Sequence, residues 1–424
     1  MPDLSALDLA RAQFALTAGL HFLLVATTLG VAPLLAVLQT AAALRRDPLR
    51  RAGLERARDA LLRLYLINYG AGIVTGLILE LQMGLNWSRV PAELYDPIAT
   101  TLASETLLAF LLESTLLGLF LASEGRFPAG VRAALLWGVA ATAWVSASLI
   151  VSANAYLHRP GAVLHDRDGA MFVDPVTLLA NPSAIAAVLH IAAAAAAVAG
   201  AWAVALALAV ARRESPTSAA AARPLARAGA LLLALGSPAT VITGIAQFSL
   251  ARATLEVDTP AYAGIALALM MLAGLLLTGL SWLLAIPLLL WRGGGAGWLP
   301  AAGVAGTMLP FVPLGTTFLG WLYRETARQP WMIVGEVTTA EALSVHSVPL
   351  LATTTIVFVG LDLVAVLGAW ALILRGLGRP AVVPRPGTPS ADGPTGSARS
   401  ADGPTGSPDA ADGTAGGPVT VAFP

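Results

Sequence analysis

Apolar runs of roughly twenty residues recur along most of this chain, separated by short polar breaks. In hydrocarbon such a run has one stable solution, a helix that satisfies its own backbone hydrogen bonds. The length rule predicts about nine spans, near residues 10–43, 64–84, 99–122, 131–153, 183–211, 228–250, 261–291, 299–323 and 346–375. Hydrophobic residues make up 57% of the 424 and charged residues 12%, and mean hydropathy is +0.75, far from the balance of a soluble domain. The chain reads as an all-α, polytopic membrane protein over residues 1–380.

Charge sets the expected topology. Arg45, Arg46, Arg50, Arg51, Arg56, Arg58, Arg126, Arg212, Arg213, Arg223, Arg227, Arg292 and Arg379 follow odd-numbered spans, and the other side holds far fewer. The positive-inside rule then puts the N-terminus outside and the C-terminus inside. Formal net charge is zero, which gives no reason to expect nucleic acid. With no cysteine, disulfides, iron–sulfur clusters and covalently attached c-type haem are excluded on this chain. Met1 to Ala10 lacks a basic stretch, so no cleavable signal is expected. Residues 381–424 are rich in Pro, Gly, Ser, Ala and Asp, and the run Ser390 to Ser397 repeats as Ser400 to Ser407. That composition predicts a disordered cytoplasmic tail without chemistry.

Polar side chains inside apolar helices carry the functional signal. His21 lies mid-helix, where it either hydrogen-bonds a neighbouring helix or ligates a haem iron. Glu105 and Glu113, eight residues apart, lie about 12 Å apart along an ideal helix and roughly 80° apart around it. They suit either a proton relay or inter-helix hydrogen bonding. Glu80 to Ser88 ends its span in polar residues around Trp87, and Glu80 is given a supporting role. His190 and Met270 sit at matching depths in their spans, where together they would suit a six-coordinate haem, although Met270 and its neighbour Met271 equally suit core filling. His158 and His165 are placed in a long outer loop, and His346 at an interface.

The densest polar stretch is Gly320 to Glu336. Between two apolar runs it packs Arg324, Glu325 and Arg328 beside Trp321 and Trp331, with Pro330 where a helix must stop or bend. It suits an ordinary polar cap or an anionic macrocycle such as haem, which Glu can ligate and Arg can neutralise.

Gly320-Trp321-x-x-x-Glu325-x-x-Arg328-Gln329-Pro330-Trp331 resembles the signature of subunit I of cytochrome bd-type terminal oxidases, with Ala327 where that family usually has Gly. Arg11 with Gln13 to His21, Glu80 to Ser88, Glu105 to Thr115, and Asn181-Pro182 to His190 resemble further family segments in the same order. The resemblance implies that Glu325 is an axial haem ligand with Arg328 required beside it, and that His21 ligates a high-spin haem at the oxygen-reducing centre. It further implies that His190 and Met270 hold a low-spin haem b, and that Glu105 and Glu113 serve the oxygen site and its proton supply. Asn154 also matches a family position. On this reading Trp321 passes electrons to two high-spin haems (b and d, or both b), which reduce O2 to water with protons from the cytoplasm. A second membrane subunit and a quinol donor are implied, in a prokaryotic cell membrane.

The donor side departs from that pattern. Residues 251–260 replace the long outer loop that helps bind quinol, leaving Gln247, Arg252 and Glu256 as weak candidates. Ala268 stands where many members have Arg. The donor is thus quinol, or a cytochrome c or other carrier. Two further classes are an electron-transfer or haem-sensing subunit, and a transporter using Glu105 and Glu113, although no inverted repeat is found.

Overall fold

A computed structural model describes residues 5–160, 163–165, 171–173, 178–212, 216–252, 260–290 and 306–377. The helices are α1 (Ala6–Leu44), α2 (Pro48–Asn86), α3 (Ala92–Thr106), α4 (Ser114–Ala122), α5 (Ala129–His158), α6 (Pro182–Ala211), α7 (Pro216–Arg252), α8 (Ala261–Leu290), α9 (Phe311–Ala327), α10 (Thr339–Ala342) and α11 (Val348–Gly376). A π-helical stretch, Leu107–Glu113, joins α3 to α4. Two small antiparallel pairs complete the fold, β1 (Val163–His165) with β2 (Met171–Val173) and β3 (Trp331–Ile333) with β4 (Val337–Thr338).

Among the described residues eight helices are long and apolar enough to span a membrane, α3 and α4 counting as one. The remaining expected span corresponds to the 17-residue α9, and the start of its apolar run (299–305) lies outside the described residues. Local chemistry explains the starts. Ser5 and Asp8 form a capping box on α1, Asp47 and Asn181 cap α2 and α6 ahead of a proline, and Ser347 caps α11. The chain divides after Val383, and residues 384–424, which include most of the expected tail, lie outside the described residues.

The outer surface is apolar as well as the core. Ile356 and Val364 of α11 and Leu283 of α8 are more than 70% exposed, forming a surface that suits lipid. Gln13, Asn68, Gln82 and Glu325 are turned inward. The tightest helix pair is α6 with α7, where backbones meet at small residues. A Cβ on Gly229 would stand 2.7 Å from the Gly200 carbonyl oxygen, and one on Gly200 would stand 2.9 Å from that of Gly229. Lipid tails are as apolar as leucine, so this close van der Waals approach is what holds two such helices together.

One end of the bundle carries a polar cap built from residues 328–347. Its backbone bonds two helix ends and the loop after α2: Val334 N–H donates to Leu157 O (3.0 Å), Ser344 N–H to Asn86 O (2.9 Å), and Arg89 N–H to Ala342 O (3.2 Å). Beneath it Trp87, Leu94, Tyr156, Met332 and Ile333 form a second apolar cluster. Gly229→Leu should separate α6 from α7 and destabilise the protein by about 1–3 kcal/mol or more. A thermal melt in detergent checks this, and an unchanged midpoint would contradict the packing described.

Candidate functional site

The cap covers a buried charge network at the end of α9. Glu325 and Arg328 are 3% and 2% exposed, and Arg328 Nη2 donates to Glu325 Oε2 at 2.6 Å. The i, i+3 spacing puts both on one face of the last helical turn. Asn154, near the end of α5, donates from Nδ2 to Glu325 Oε1 at 2.8 Å and accepts from Arg324 Nε. His158, one turn on, contacts the carbonyls of Asn154 (2.9 Å, Nδ1) and Arg324 (3.0 Å, Nε2). The expectation that His158 is a loop histidine is corrected: α5 continues to it, and it is buried at 8% exposure with both ring nitrogens engaged.

This network holds more donors than acceptors. Arg324 Nη2, Arg328 Nε and Nη1, and Trp321 Nε1 are buried without a partner among the described residues. Each such group costs about 1–3 kcal/mol while unmet, more when charged. The surplus is of the kind an anionic ligand satisfies, and haem propionates fit it.

His21 and His190 are presented alike. His21 Nδ1 meets Thr75 Oγ1 at 2.8 Å, and Thr75 is itself within reach of the carbonyls of Ala71 and Gly72 (3.2 Å each). With that hydroxyl proton on a carbonyl, Oγ1 accepts from His21 Nδ1–H. His190 Nδ1 donates to Thr240 O at 3.0 Å. In both rings the lone pair is thereby left on Nε2, for which the described residues offer no hydrogen bond. That is the tautomer an iron ligand requires. Each ring also lies against a glycine: a Cβ on Gly76 would stand 3.2 Å from His21 Cε1, and one on Gly244 would stand 3.0 Å from His190 Cε1.

α9 connects the two regions through adjacent residues. A Cβ on Gly320 would stand 2.9 Å from Met270 Sδ, so the glycine admits the thioether against the helix backbone. Trp321 stacks on Phe22, the residue after His21, with ring centroids 4.9 Å apart. Met271 is 53% exposed and turned away. His190 on α6 and Met270 on α8 have α7 as a common neighbour.

Glu105 and Glu113 are separated by the π-helical stretch, whose wider turns change the phase expected of a regular helix. They consequently face different neighbours. Glu105 Oε1 accepts from Ser146 of α5 at 3.0 Å, whereas Glu113, 2% exposed, accepts from the Tyr65 hydroxyl of α2 at 2.6 Å. Tyr69, one turn from Tyr65 and stacked on it, hydrogen-bonds Ser114. Glu80 accepts from Thr106 at 2.6 Å. Tyr65 and Ser146 escaped sequence reading, since a tyrosine or serine in a helix carries no signal until its partner is known. His158 could have been found from its i, i+4 spacing to Asn154. Among the described residues no cluster of three His, Asp or Glu forms a metal-ion site.

Fold and site thus define a multi-span helical membrane protein whose buried Glu and Arg and half-buried His, Met and Trp side chains suit porphyrin ligation. The family model for cytochrome bd terminal oxidase subunit I matches residues 9–254 and 233–379, and the chain belongs to that family, whose cofactor is haem and whose place is the prokaryotic cell membrane. It is 33% identical over 188 residues to cytochrome bd ubiquinol oxidase subunit 1 of Bacillus subtilis (strain 168), covering 44% of this chain and 39% of that one. It is 38% identical over 167 residues to cytochrome bd-II ubiquinol oxidase subunit 1 of Escherichia coli (strain K12), covering 38% and 31% respectively. The fold superposes on the bd oxidase from Geobacillus thermodenitrificans with a TM-score of 0.72 at 20% identity, covering 89% of this chain and 99% of that one.

Asn154→Leu should strip Glu325 and Arg324 of their bridge and destabilise the fold by about 1–3 kcal/mol. Met271→Leu, on the exposed side, should leave the thermal midpoint unchanged. Equal melts for both would contradict the bridge.

Proposed function

We propose that this chain is the haem-bearing subunit of a bd-type terminal oxidase that reduces O2 to water. The observation that carries the reading is the buried Glu325–Arg328–Asn154 network with its surplus of donors, joined through Trp321 and Phe22 to His21. His190 and Met270 would hold a low-spin haem b. His21 and Glu325 would each ligate a high-spin haem (b and d, or both b), with Arg328 held against Glu325. When bound, the haems supply electron transfer and oxygen binding.

The chain's own residues do the rest. The hydrogen bonds to Thr75 and Thr240 O keep each imidazole lone pair on Nε2. Arg324, Arg328 and the indole N–H neutralise and orient carboxylates in a water-poor site, where charge-assisted bonds are strong. Trp321, beside Gly320 on one side and Phe22 on the other, gives electrons an aromatic route between the two regions. Glu113, held by Tyr65, and Glu105, held by Ser146, pass protons from the cytoplasmic side. In this reading the N-terminus is outside, the C-terminus is inside with residues 381–424 as its tail, and a second membrane subunit completes the enzyme.

One candidate electron donor is quinol, by analogy with the relatives, which are named ubiquinol oxidases. A cytochrome c or other carrier is favoured by one observation: α7 ends at Arg252 and α8 begins at Ala261, leaving no room for a long connection. Purified complex should take up oxygen slowly with quinol if that loop matters, and brisk quinol-dependent uptake would remove the second donor class.

His21→Ala should abolish the CO-reactive absorption while sparing the low-spin band. Met270→Leu should turn the low-spin haem high-spin, and Met271→Leu should change nothing. Visible spectra of purified complex check all three. A colourless unaltered protein would overturn the proposal.

A further inference from the structure

Asp362 stands at the midpoint of α11, 0% exposed, and neither carboxyl oxygen has a hydrogen-bond partner. It belongs to the inward stripe of α11 that runs through Leu351, Asp362, Val366, Ala369, Ile373 and Gly376 and packs on α1 and α2. A second subunit therefore cannot reach it.

Two independent contacts fix its depth. At the capped end Thr355 donates to Gln13 Oε1 at 3.0 Å. From that contact Asp362 lies about 10 Å down α11, and His21 about 12 Å down α1. At the opposite end a Cβ on Gly376 would stand 2.7 Å from Arg63 Nε. From there Asp362 is about 21 Å up α11, and Thr75 about 18 Å up α2. Both measures bring Asp362 level with the His21–Thr75 pair. Seven residues from Thr355, it shares that residue's face of the helix.

The arginines on the packed helices do not compensate a charge there. Arg11 lies about 15 Å from this level and Arg63 about 21 Å. Glu80, near it in depth, is turned to Thr106 of α3. An ionised carboxylate without a partner in such a place is strongly disfavoured, so the group holds its proton. Toward the uncapped end, Asn68 Oδ1 on α2 is likewise buried without a donor. Beyond it a cavity of about 10 Å3, room for a single water, lies between Arg63, Ile67, Leu206 and Gly376.

We propose that Asp362 is a second proton-holding carboxyl at the depth of the His21 site, delivering protons to oxygen reduction independently of Glu105 and Glu113. Its O–H bond breaks, the proton goes to oxygen being reduced by electrons from the external donor, and the carboxylate left behind is reprotonated from the Asn68 and cavity side. The inference rests on the oxidase reading given above.

The test uses the purified complex, comparing redox-difference infrared spectra, O2 uptake and its solvent deuterium isotope effect. Asp362→Asn should remove a protonated-carboxyl C=O band and slow turnover about tenfold or more, with visible and CO-difference spectra intact. Combined with Glu113→Gln it should slow turnover further than either change alone, and Asp362→Glu should shift the band while retaining turnover. Should the Asn variant fail to assemble, the Glu variant decides: a shifted band supports the proposal, and an unshifted spectrum overturns it. Unchanged turnover and isotope effect in Asp362→Asn overturn it too, leaving the oxidase reading in place. An unaltered complex that reduces no oxygen removes both.

Discussion

Charge taken out of water must be matched, and the end of α9 shows how far this chain goes to do it. Arg328 and Glu325 face each other at 2.6 Å in a site almost closed to solvent. A buried pair of this kind adds little net stability, because desolvation offsets the attraction, yet breaking it costs about 3–5 kcal/mol. It acts as a positioning device. Asn154 and His158 extend it by tying the end of α5 to α9, and the cap seals it. The guanidinium and indole donors left over give the site its sign, which suits an anion.

The same logic runs through the membrane interior. Every polar side chain there has to be met by a neighbouring helix, and each such bond also orients a ring or carboxyl. Thr75 and Thr240 O turn two imidazoles the same way, and Tyr65 and Ser146 hold two carboxyls to separate helices. Glycines decide how near those groups come. Gly76 and Gly244 admit the rings, and Gly320 admits a thioether. Among the buried carboxyls of the described residues, Asp362 differs from Glu113 and Glu325 in that no neighbour meets it.

Much of the site was legible before the fold was known. Glu325 and Arg328 stand three apart where a helix must end, and the structure brings them together. The relation of Glu105 to Glu113 was not legible. A regular helix implies one shared face, but the π-helical stretch between them sends one carboxyl to α5 and the other to α2. Nor was the choice between Met270 and Met271, which differ only in which way their helix is turned toward α9.

Sequence alone determined that the chain folds as membrane helices, because apolar length and the absence of backbone partners in lipid leave no other solution. It also named the side chains too polar for that setting. Tertiary structure alone decided which helix each of them faces. Partners such as Thr75, Tyr65, Ser146 and Asn154 come from distant parts of the chain, and hydrogen bonds of 2.6–3.0 Å have no trace in local periodicity.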